Sequence, residues 1–291
     1  MKLNMNCILC NIRQVLTVTA FAHSSSEEQE QAMREVLSYL ATTEYNRSNP
    51  EVIRGTWEII TKHLRDRDPY RKIKAFYNKK LLALLPALQQ QMAEAPEPFF
   101  AALKMAVAAN LIDFAASAEI DDSLLLNRLR QARTEAFAVD DSQTLYSRLA
   151  QARSLLYLGD NCGEIVVDRL FIEQMKKEFP GLRVYFGVRG EPIVNDVTLA
   201  DAAMIKMEQV ATVLSNGDGS LGTVLERTSE QFKQVFQDAD VVIAKGQGNY
   251  ESLSETKRRS LFFLFMAKCD VVATAAGVSR QAILCLEHHA V

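Results

Sequence analysis

The sequence predicts an α/β protein: a three-layer α/β/α sandwich with a mostly parallel sheet, preceded by an all-helical subdomain. Two observations lead to this prediction. Residues 1–151 show only helical periodicity, whereas residues 152–291 alternate short apolar runs with helical segments. Polar, glycine-rich turns also follow almost every predicted strand, as at the carboxyl edge of an open parallel sheet. We therefore expect a helical subdomain at 1–151 and an α/β/α core at 152–291.

The helical subdomain is predicted from apolar residues that recur three and four positions apart. Serine and proline residues mark the breaks between its helices, at Ser24–Ser26, Asn49-Pro50 and Asp68-Pro69. No segment before residue 152 shows the pattern of a strand, so we expect helices throughout. The predicted helices are Glu27–Tyr39, Pro50–Arg65, Tyr70–Gln91 and Phe99–Ser117.

The second part is predicted to form parallel strands joined by crossover helices, because strand and helix patterns alternate along it. Helices of this kind cover both faces of the sheet, and the strands between them read as short apolar runs. The predicted strands are Leu155–Leu158, Arg183–Val188, Val210–Leu214, Val241–Ala244 and Val271–Ala273. The predicted helices between them are Glu164–Phe179, Leu221–Gln237 and Ser252–Met266.

The composition excludes several classes of protein. The 291 residues are 48% hydrophobic and 24% charged, which is typical of a globular chain. A net charge of −3 provides no concentrated basic face, so no nucleic-acid partner is expected. The apolar runs fall short of the about 20 residues that cross a membrane, and no secretory signal is recognised. Five cysteines do not form a disulfide framework, and the lone pair Cys7 and Cys10 is interpreted as buried and apolar. We expect a cytoplasmic protein; the oligomeric state is not predicted.

Two polar segments suggest a metal site. Asp160 and Asn161 follow the first predicted strand directly, and their oxygens suit a hard divalent cation. For that segment alone, capping of the next helix is the simpler interpretation. Asp196 follows the second strand and would complete three oxygen ligands, which shifts the balance toward a metal. Asp201, five residues further on, is assigned a supporting or structural role.

Two further segments resemble anion-binding turns. Gly217 and Asp218 lie in a glycine-rich turn before a predicted helix, and Lys245 and Gly246 follow the fourth strand. Glycine allows close approach of the backbone, and N–H groups at a helix start favour negative charge. A lysine at a strand end could neutralise a transferring phosphoryl group. Neither segment has the spacing of a P-loop.

Together these segments resemble the metal-dependent damage-control phosphatases, a family long catalogued as a domain of unknown function. The resemblance rests on Gly159–Glu164, Arg189–Thr198, Ser215–Asp218 and Ala244–Glu251, and it extends to Cys7–Cys10 and to Asn110–Phe114 with Asp113. The last two segments resemble the smaller microbial branch of the family. The combination is specific, whereas no single motif would be.

The resemblance implies a divalent metal ion (Mn²⁺, Mg²⁺, Co²⁺ or Ni²⁺) held by Asp160, Asn161 and Asp196, with hydrolysis of phosphate esters of sugars and related small metabolites, including damaged or side-product forms. Attack by water is preferred to attack by Asp160, because Cys162 stands where a DxDxT-type phosphatase has its second aspartate. The candidate catalytic residues are Asp160, Asn161, Glu164 and Lys245, and the candidate phosphate-binding residues are Arg189, Asn110, Gly217, Asp218 and Gly246.

Two other functions stay open at this point. An S-adenosylmethionine-dependent carboxyl methyltransferase would also place an aspartate and a glycine-rich turn at strand tips, but it needs neither three oxygen ligands nor the Lys245–Gly248 loop. A non-catalytic protein that binds metal and sugar phosphate could retain Lys245 and the glycine turns without turnover.

Overall fold

A computed structural model describes residues 1–111 and 121–289 of the chain. Within these ranges it contains twelve α-helices and seven β-strands. The first seven helices are α1 (Met5–Phe21), α2 (Ser26–Ala41), α3 (Asn49–Leu64), α4 (Arg71–Ala93), α5 (Pro98–Ala108), α6 (Asp122–Ala132) and α7 (Ser142–Gln151). The other five are α8 (Glu164–Glu178), α9 (Leu199–Met204), α10 (Glu230–Asp238), α11 (Gly246–Leu253) and α12 (Asp270–Ala275).

The strands form one mostly parallel sheet. They are β1 (Val139–Asp140), β2 (Ser154–Leu158), β3 (Arg183–Val188), β4 (Thr212–Ser215), β5 (Val241–Lys245), β6 (Leu261–Met266) and β7 (Ile283–Glu287). Their order across the sheet is β1-β7-β6-β5-β2-β3-β4, and β7 runs antiparallel to β6. Strands β2, β5 and β6 are buried along their whole length. Helices therefore cover both faces, and the predicted three-layer α/β/α fold is confirmed.

One face of the sheet packs against helices from both parts of the chain. A continuous apolar cluster joins Leu103 of α5 to Phe171 of α8 and Tyr157 of β2. A second cluster, which includes Phe232 and Val272, covers the opposite face. Helices α1 to α3 have an apolar cluster of their own around Trp57. The division at residue 151 into a helical subdomain and a core stays a prediction.

Three predicted helices of the first part are confirmed by α2, α3 and α4, whose bounds agree within a few residues. The expectation of no strand before residue 152 was wrong, because β1 pairs with β7. A strand of two residues carries too little local pattern to be recognised. The predicted helix Phe99–Ser117 includes α5 and a 3-10 turn at Ala109–Leu111, and its last part, with Asp113, lies outside the described residues.

Two predictions near the C-terminus were wrong. The segment Leu261–Met266, predicted as helix, is strand β6, because a strand buried on both faces lacks alternation and looks like a buried helix. The segment Val271–Ala273, predicted as a strand, lies in α12, and the true last strand is β7. The helix predicted at Leu221–Gln237 is shorter, starting at Glu230 after a 3-10 turn.

Two smaller expectations can be compared with the structure. No helix of the described residues is long and apolar enough to span a bilayer. The cysteine pair was predicted to be buried; Cys7 is buried, but Cys10 is exposed, so the prediction was wrong for Cys10.

Candidate metal and phosphate site

The site lies where the connections from β2 reverse direction. Strands β3 and β4 follow β2 on one side of the sheet, and β5 and β6 lie on its other side. In open parallel sheets, ligands bind at this switch point, beyond the carboxyl ends of the strands. The polar segments after β2, β3 and β5 therefore meet at one edge. This juxtaposition follows from the strand order, because β5 lies next to β2 despite the long stretch of chain between them.

Two amides hold the carboxylates of Asp160 and Glu164 side by side. Asn110 Nδ2 donates to Asp160 Oδ2 and to Glu164 Oε2, at 2.9 Å each. Asn161 Nδ2 donates to the same two oxygens, at 2.6 Å and 3.2 Å. Asn110 comes from the helical part of the chain, and the other three residues follow β2. The predicted residues of the first segment thus converge with the predicted Asn110.

Lys245 is fully buried and acts as a cation between two carboxylates. Its ammonium donates to Asp168 Oδ1 at 2.5 Å, to Glu164 Oε1 at 3.0 Å and to the carbonyl of Ala106 at 2.9 Å. Burial alone would lower the pKa of Lys245, but the carboxylates of Asp168 and Glu164 raise it above its usual range. An ammonium has three N–H bonds, and all three are used here. Contact between Lys245 and a phosphate stays a prediction that this arrangement does not favour.

Arg189 joins the second metal-ligand candidate to the first. Its Nε donates to Asp196 Oδ2 at 2.7 Å, and its Nη2 lies 3.9 Å from Asp160 Oδ1. Nη2 is buried and has no hydrogen-bond partner among residues 1–111 and 121–289. Nη1 approaches Thr223 Oγ1 at 3.5 Å. Since a buried donor without a partner is costly, this guanidinium is suited to bind an anion.

Among residues 1–111 and 121–289, the site holds more negative than positive groups. The buried carboxyl groups are those of Asp160, Glu164, Asp168 and Asp196, and the buried cations are Arg189 and Lys245. Burial, followed by the charges of Glu164 and Asp196, raises the pKa of Asp160 well above its usual value. Burial also raises the pKa of Asp196, although Arg189 opposes the shift. Burial raises the pKa of Asp168 to about 6.

Gly246 is required where β5 meets the carboxylate of Asp160. Its φ is +78°, a conformation that favours glycine. A Cβ at this position would lie 2.5 Å from Asp160 Oδ1 and closer still to Oδ2. Gly246 therefore lets the backbone of the fourth segment pass directly beside the predicted metal ligand.

Gly217 and Asp218 are not part of this network. The Asp218 carboxylate pairs with Arg54 and Arg227, and it accepts a hydrogen bond from the backbone of Ser220 at 3.1 Å. Its backbone carbonyl accepts from Gly190 N, next to Arg189, at 2.8 Å. Asp218 thus ties its turn to α3 rather than facing the carboxylates. Its predicted role in substrate binding stays a prediction.

Sequence reasoning missed three residues of the site. Asp168 lies one helical turn after Glu164 and binds Lys245, and Tyr157 donates to the same carboxylate at 2.6 Å. Lys268 is exposed just beyond the carboxyl end of β6, and its charge lowers the pKa of Asp160. An i, i+4 pair of acids at the start of α8 was a visible signal. Lys268 was hidden because Leu261–Met266 was taken for a helix.

The donor set suits a divalent cation. Asp160 and Asp196 offer carboxylate oxygens, Asn161 offers an amide oxygen, and hard divalent ions prefer such ligands. The excess of buried negative charge would be offset by a doubly charged ion. No cluster of three His, Cys, Asp or Glu side chains poised to hold a metal occurs in the described part of the chain. The predicted set includes only two carboxylates and one amide, so it differs in composition from such a cluster.

Fold and site together define an α/β/α protein with an acidic, buried centre at the carboxyl edge of its sheet. The chain belongs to the family of the damage-control phosphatase ARMT1-like domain, whose model matches residues 3–284. This confirms the family indicated by the sequence motifs.

Curated relatives and a solved structure agree with this assignment. A protein named damage-control phosphatase from Pyrococcus horikoshii is 30% identical over 99% of this chain and 99% of its own. A second damage-control phosphatase, from Archaeoglobus fulgidus, is 26% identical over 96% of each chain. The crystal structure of a DUF89 family protein from P. horikoshii has a TM-score of 0.93 and 28% identity, covering 99% of this chain and 100% of that one.

Proposed function

We propose that the protein is a divalent-metal-dependent phosphatase that hydrolyses phosphate monoesters of small metabolites, such as sugar phosphates or damaged and side-product phosphometabolites. The family membership and the names of the relatives support a phosphatase role. The single observation behind the metal-dependent form concerns the described residues: at one sheet edge they place an excess of buried carboxylates beside an Arg189 N–H that has no hydrogen-bond partner among them.

The residues divide into two roles. Asp160, Asn161 and Asp196 would hold a divalent ion (Mn²⁺, Mg²⁺, Co²⁺ or Ni²⁺), which supplies positive charge for the phosphoryl oxygens. Arg189 Nη2 would donate to one of those oxygens from inside the site. Lys268, exposed at the tip of β6, would contribute a second cation from the solvent side.

The remaining polar groups hold these residues in place. Glu164 is engaged at both oxygens, by Lys245 on one and by the two amides on the other, so it does not serve as a free base. Asp160 Oδ1 instead lies 3.9 Å from Arg189 Nη2, and the charge of Lys268 also acts on Asp160, so this carboxylate lies near both proposed phosphate-binding cations. We infer that water attacks the phosphorus and that Asp160 orients this water. Attack by water is preferred to attack by Asp160 because Cys162 stands where a DxDxT-type phosphatase has its second aspartate.

The test is phosphate release from a panel of sugar phosphates and p-nitrophenyl phosphate. Metal-stripped protein would receive each divalent ion in turn, alongside the variants Asp160→Asn and Asp196→Asn. Asp240→Asn is the matched control, because Asp240 binds the backbone at the opposite end of β2, at 2.8 Å and 2.9 Å.

The proposal predicts metal-restored turnover that both site variants abolish and the control retains. Methyl transfer from S-adenosylmethionine to carboxylates, without phosphate release, would replace the proposal with the methyltransferase. Tight binding of metal and sugar phosphate with no turnover would replace it with a non-catalytic binding protein.

A further inference from the structure

Helix α4 carries two buried polar side chains that face the carboxyl edge of the sheet. Lys74 and Asn78 are one helical turn apart and are almost completely inaccessible to solvent. Burying a lysine and an asparagine is unfavourable unless each finds polar partners. Asn78 finds both of its partners in the two segments that carry the proposed metal ligands, and Lys74 finds one partner there and the other in Asp68, just before α4.

Asn78 uses both ends of its amide to connect those segments. Its Oδ1 accepts a hydrogen bond from Gly163 N at 2.7 Å, in the turn that follows Asp160 and Asn161. Its Nδ2 donates to Asp201 Oδ1 at 3.0 Å, in the helix that follows Asp196. The side chain therefore spans from one ligand-bearing segment to the other.

The partner of Asn78 on the second segment is itself fixed. Asp201 Oδ2 accepts from Thr198 N at 2.9 Å and from Thr198 Oγ1 at 2.8 Å, which caps α9. Lys74 lies 3.4 Å from the same oxygen and 3.1 Å from Asp68. Asp201 thus connects α4 to the start of α9, which begins three residues after Asp196.

The turn that carries Asp160 and Asn161 is joined to the second ligand-bearing segment by backbone hydrogen bonds on one side only. Val197 N donates to the carbonyl of Asp160, and Cys162 N donates to that of Asn195, each at 2.9 Å. Both bonds join the turn to the second segment. The N–H of Gly163, at φ +74°, points the other way, and Asn78 accepts it. Without this acceptor a buried donor would be unpaired, and the turn would lose its hydrogen bond to α4.

We propose that Asn78 is a positioning residue that sets the separation of Asp160 and Asn161 from Asp196, and so determines the affinity for the divalent ion. The inference rests on the proposed metal site. Ligands must be held within about 0.5 Å of their productive positions, and loss of an outer hydrogen-bond partner typically costs about 10–100-fold in metal affinity.

The experiment measures Mn²⁺ binding by calorimetry on metal-stripped protein, independently of turnover. The variants are Asn78→Ala, Asn78→Asp and the double exchange Asn78→Asp with Asp201→Asn. The double exchange keeps the net charge and swaps donor and acceptor in the hydrogen bond between residues 78 and 201. The carboxylate at position 78 then accepts from Gly163 N–H and from the amide at position 201.

Asn11→Ala is the matched control. Asn11 is also a fully buried asparagine of the helical part, and it bonds Cys7 O at 2.9 Å and Thr56 Oγ1 at 2.7 Å, away from the site. Thermal unfolding of every variant shows whether each protein is folded at the titration temperature.

We expect Asn78→Ala and Asn78→Asp to weaken Mn²⁺ binding about 10–100-fold. The double exchange should restore affinity to within about threefold of the parent, and Asn11→Ala should leave it unchanged despite a similar loss of stability. Parent-like affinity in Asn78→Ala overturns the inference. If that variant does not fold, equal affinities of Asn78→Asp and the double exchange overturn it. A parent protein that binds no divalent ion overturns the proposed metal site, and the inference with it.

Discussion

The close approach of Gly246 to Asp160 allows a clean test of the site geometry. In Gly246→Ala the added methyl would overlap the Asp160 carboxylate, lying 2.5 Å from Oδ1 and closer to Oδ2. The backbone at position 246 is held in place by strand β5, so it is the Asp160 carboxylate that must move. Moving it breaks its hydrogen bonds with Asn110 and Asn161.

The expected loss of stability in Gly246→Ala has two parts. A non-glycine residue at positive φ costs about 1–2 kcal/mol. Loss of hydrogen bonds to a buried charged group adds roughly 1.5–3 kcal/mol. At about 2 °C per kcal/mol for a chain of this size, Gly246→Ala should lower the melting temperature by about 5–10 °C.

Gly277→Ala is the matched control for backbone strain. Gly277 has φ +68°, but an added Cβ there would meet no atom within 4 Å. Gly277→Ala should therefore lower the melting temperature by about 2–4 °C and bind Mn²⁺ with the affinity of the parent. Differential scanning calorimetry and Mn²⁺ titration would measure both variants. Parent-like Mn²⁺ affinity in Gly246→Ala would refute the assignment of Asp160 to the metal site.

Three further predictions follow from the charges of the site. Lys245→Met leaves Glu164 and Asp168 buried without their cation, so chemical denaturation should show a loss of about 3–5 kcal/mol; a change below about 1 kcal/mol would contradict the counter-ion role. Lys268→Met, at an exposed position, should leave the melting temperature unchanged but raise KM for a phosphate ester about tenfold or more, and an unchanged KM would remove Lys268 from the site. Because the pKa of Asp168 is raised to about 6, the folded metal-free protein binds this proton more tightly than the unfolded chain. Its stability should therefore fall as pH rises through about 4 to 6, less steeply in Asp168→Asn, and a rise with pH in urea titrations would contradict this.

The sequence by itself determined the class of fold and suggested most residues of the candidate site. Alternation of apolar runs and helices predicted the parallel sheet, and the polar segments after Leu158, Val188 and Ala244 predicted which edge would bind a ligand. Asp160, Asn161 and Asp196 could be predicted as metal ligands because a strand tip followed by oxygen side chains is a local pattern. Local patterns can be recognised in a sequence because neighbouring residues alone produce them.

Only the tertiary structure decided how distant segments meet. Asn78 and Asn110 reach the site from the helical part, and the place of β5 beside β2 brings Lys245 to Glu164 and Asp168. The nature of Leu261–Met266 also depended on context, because burial on both faces erases the alternation that marks a strand. Pairing between remote segments is chosen by the packing of the whole core, which no short stretch of sequence encodes.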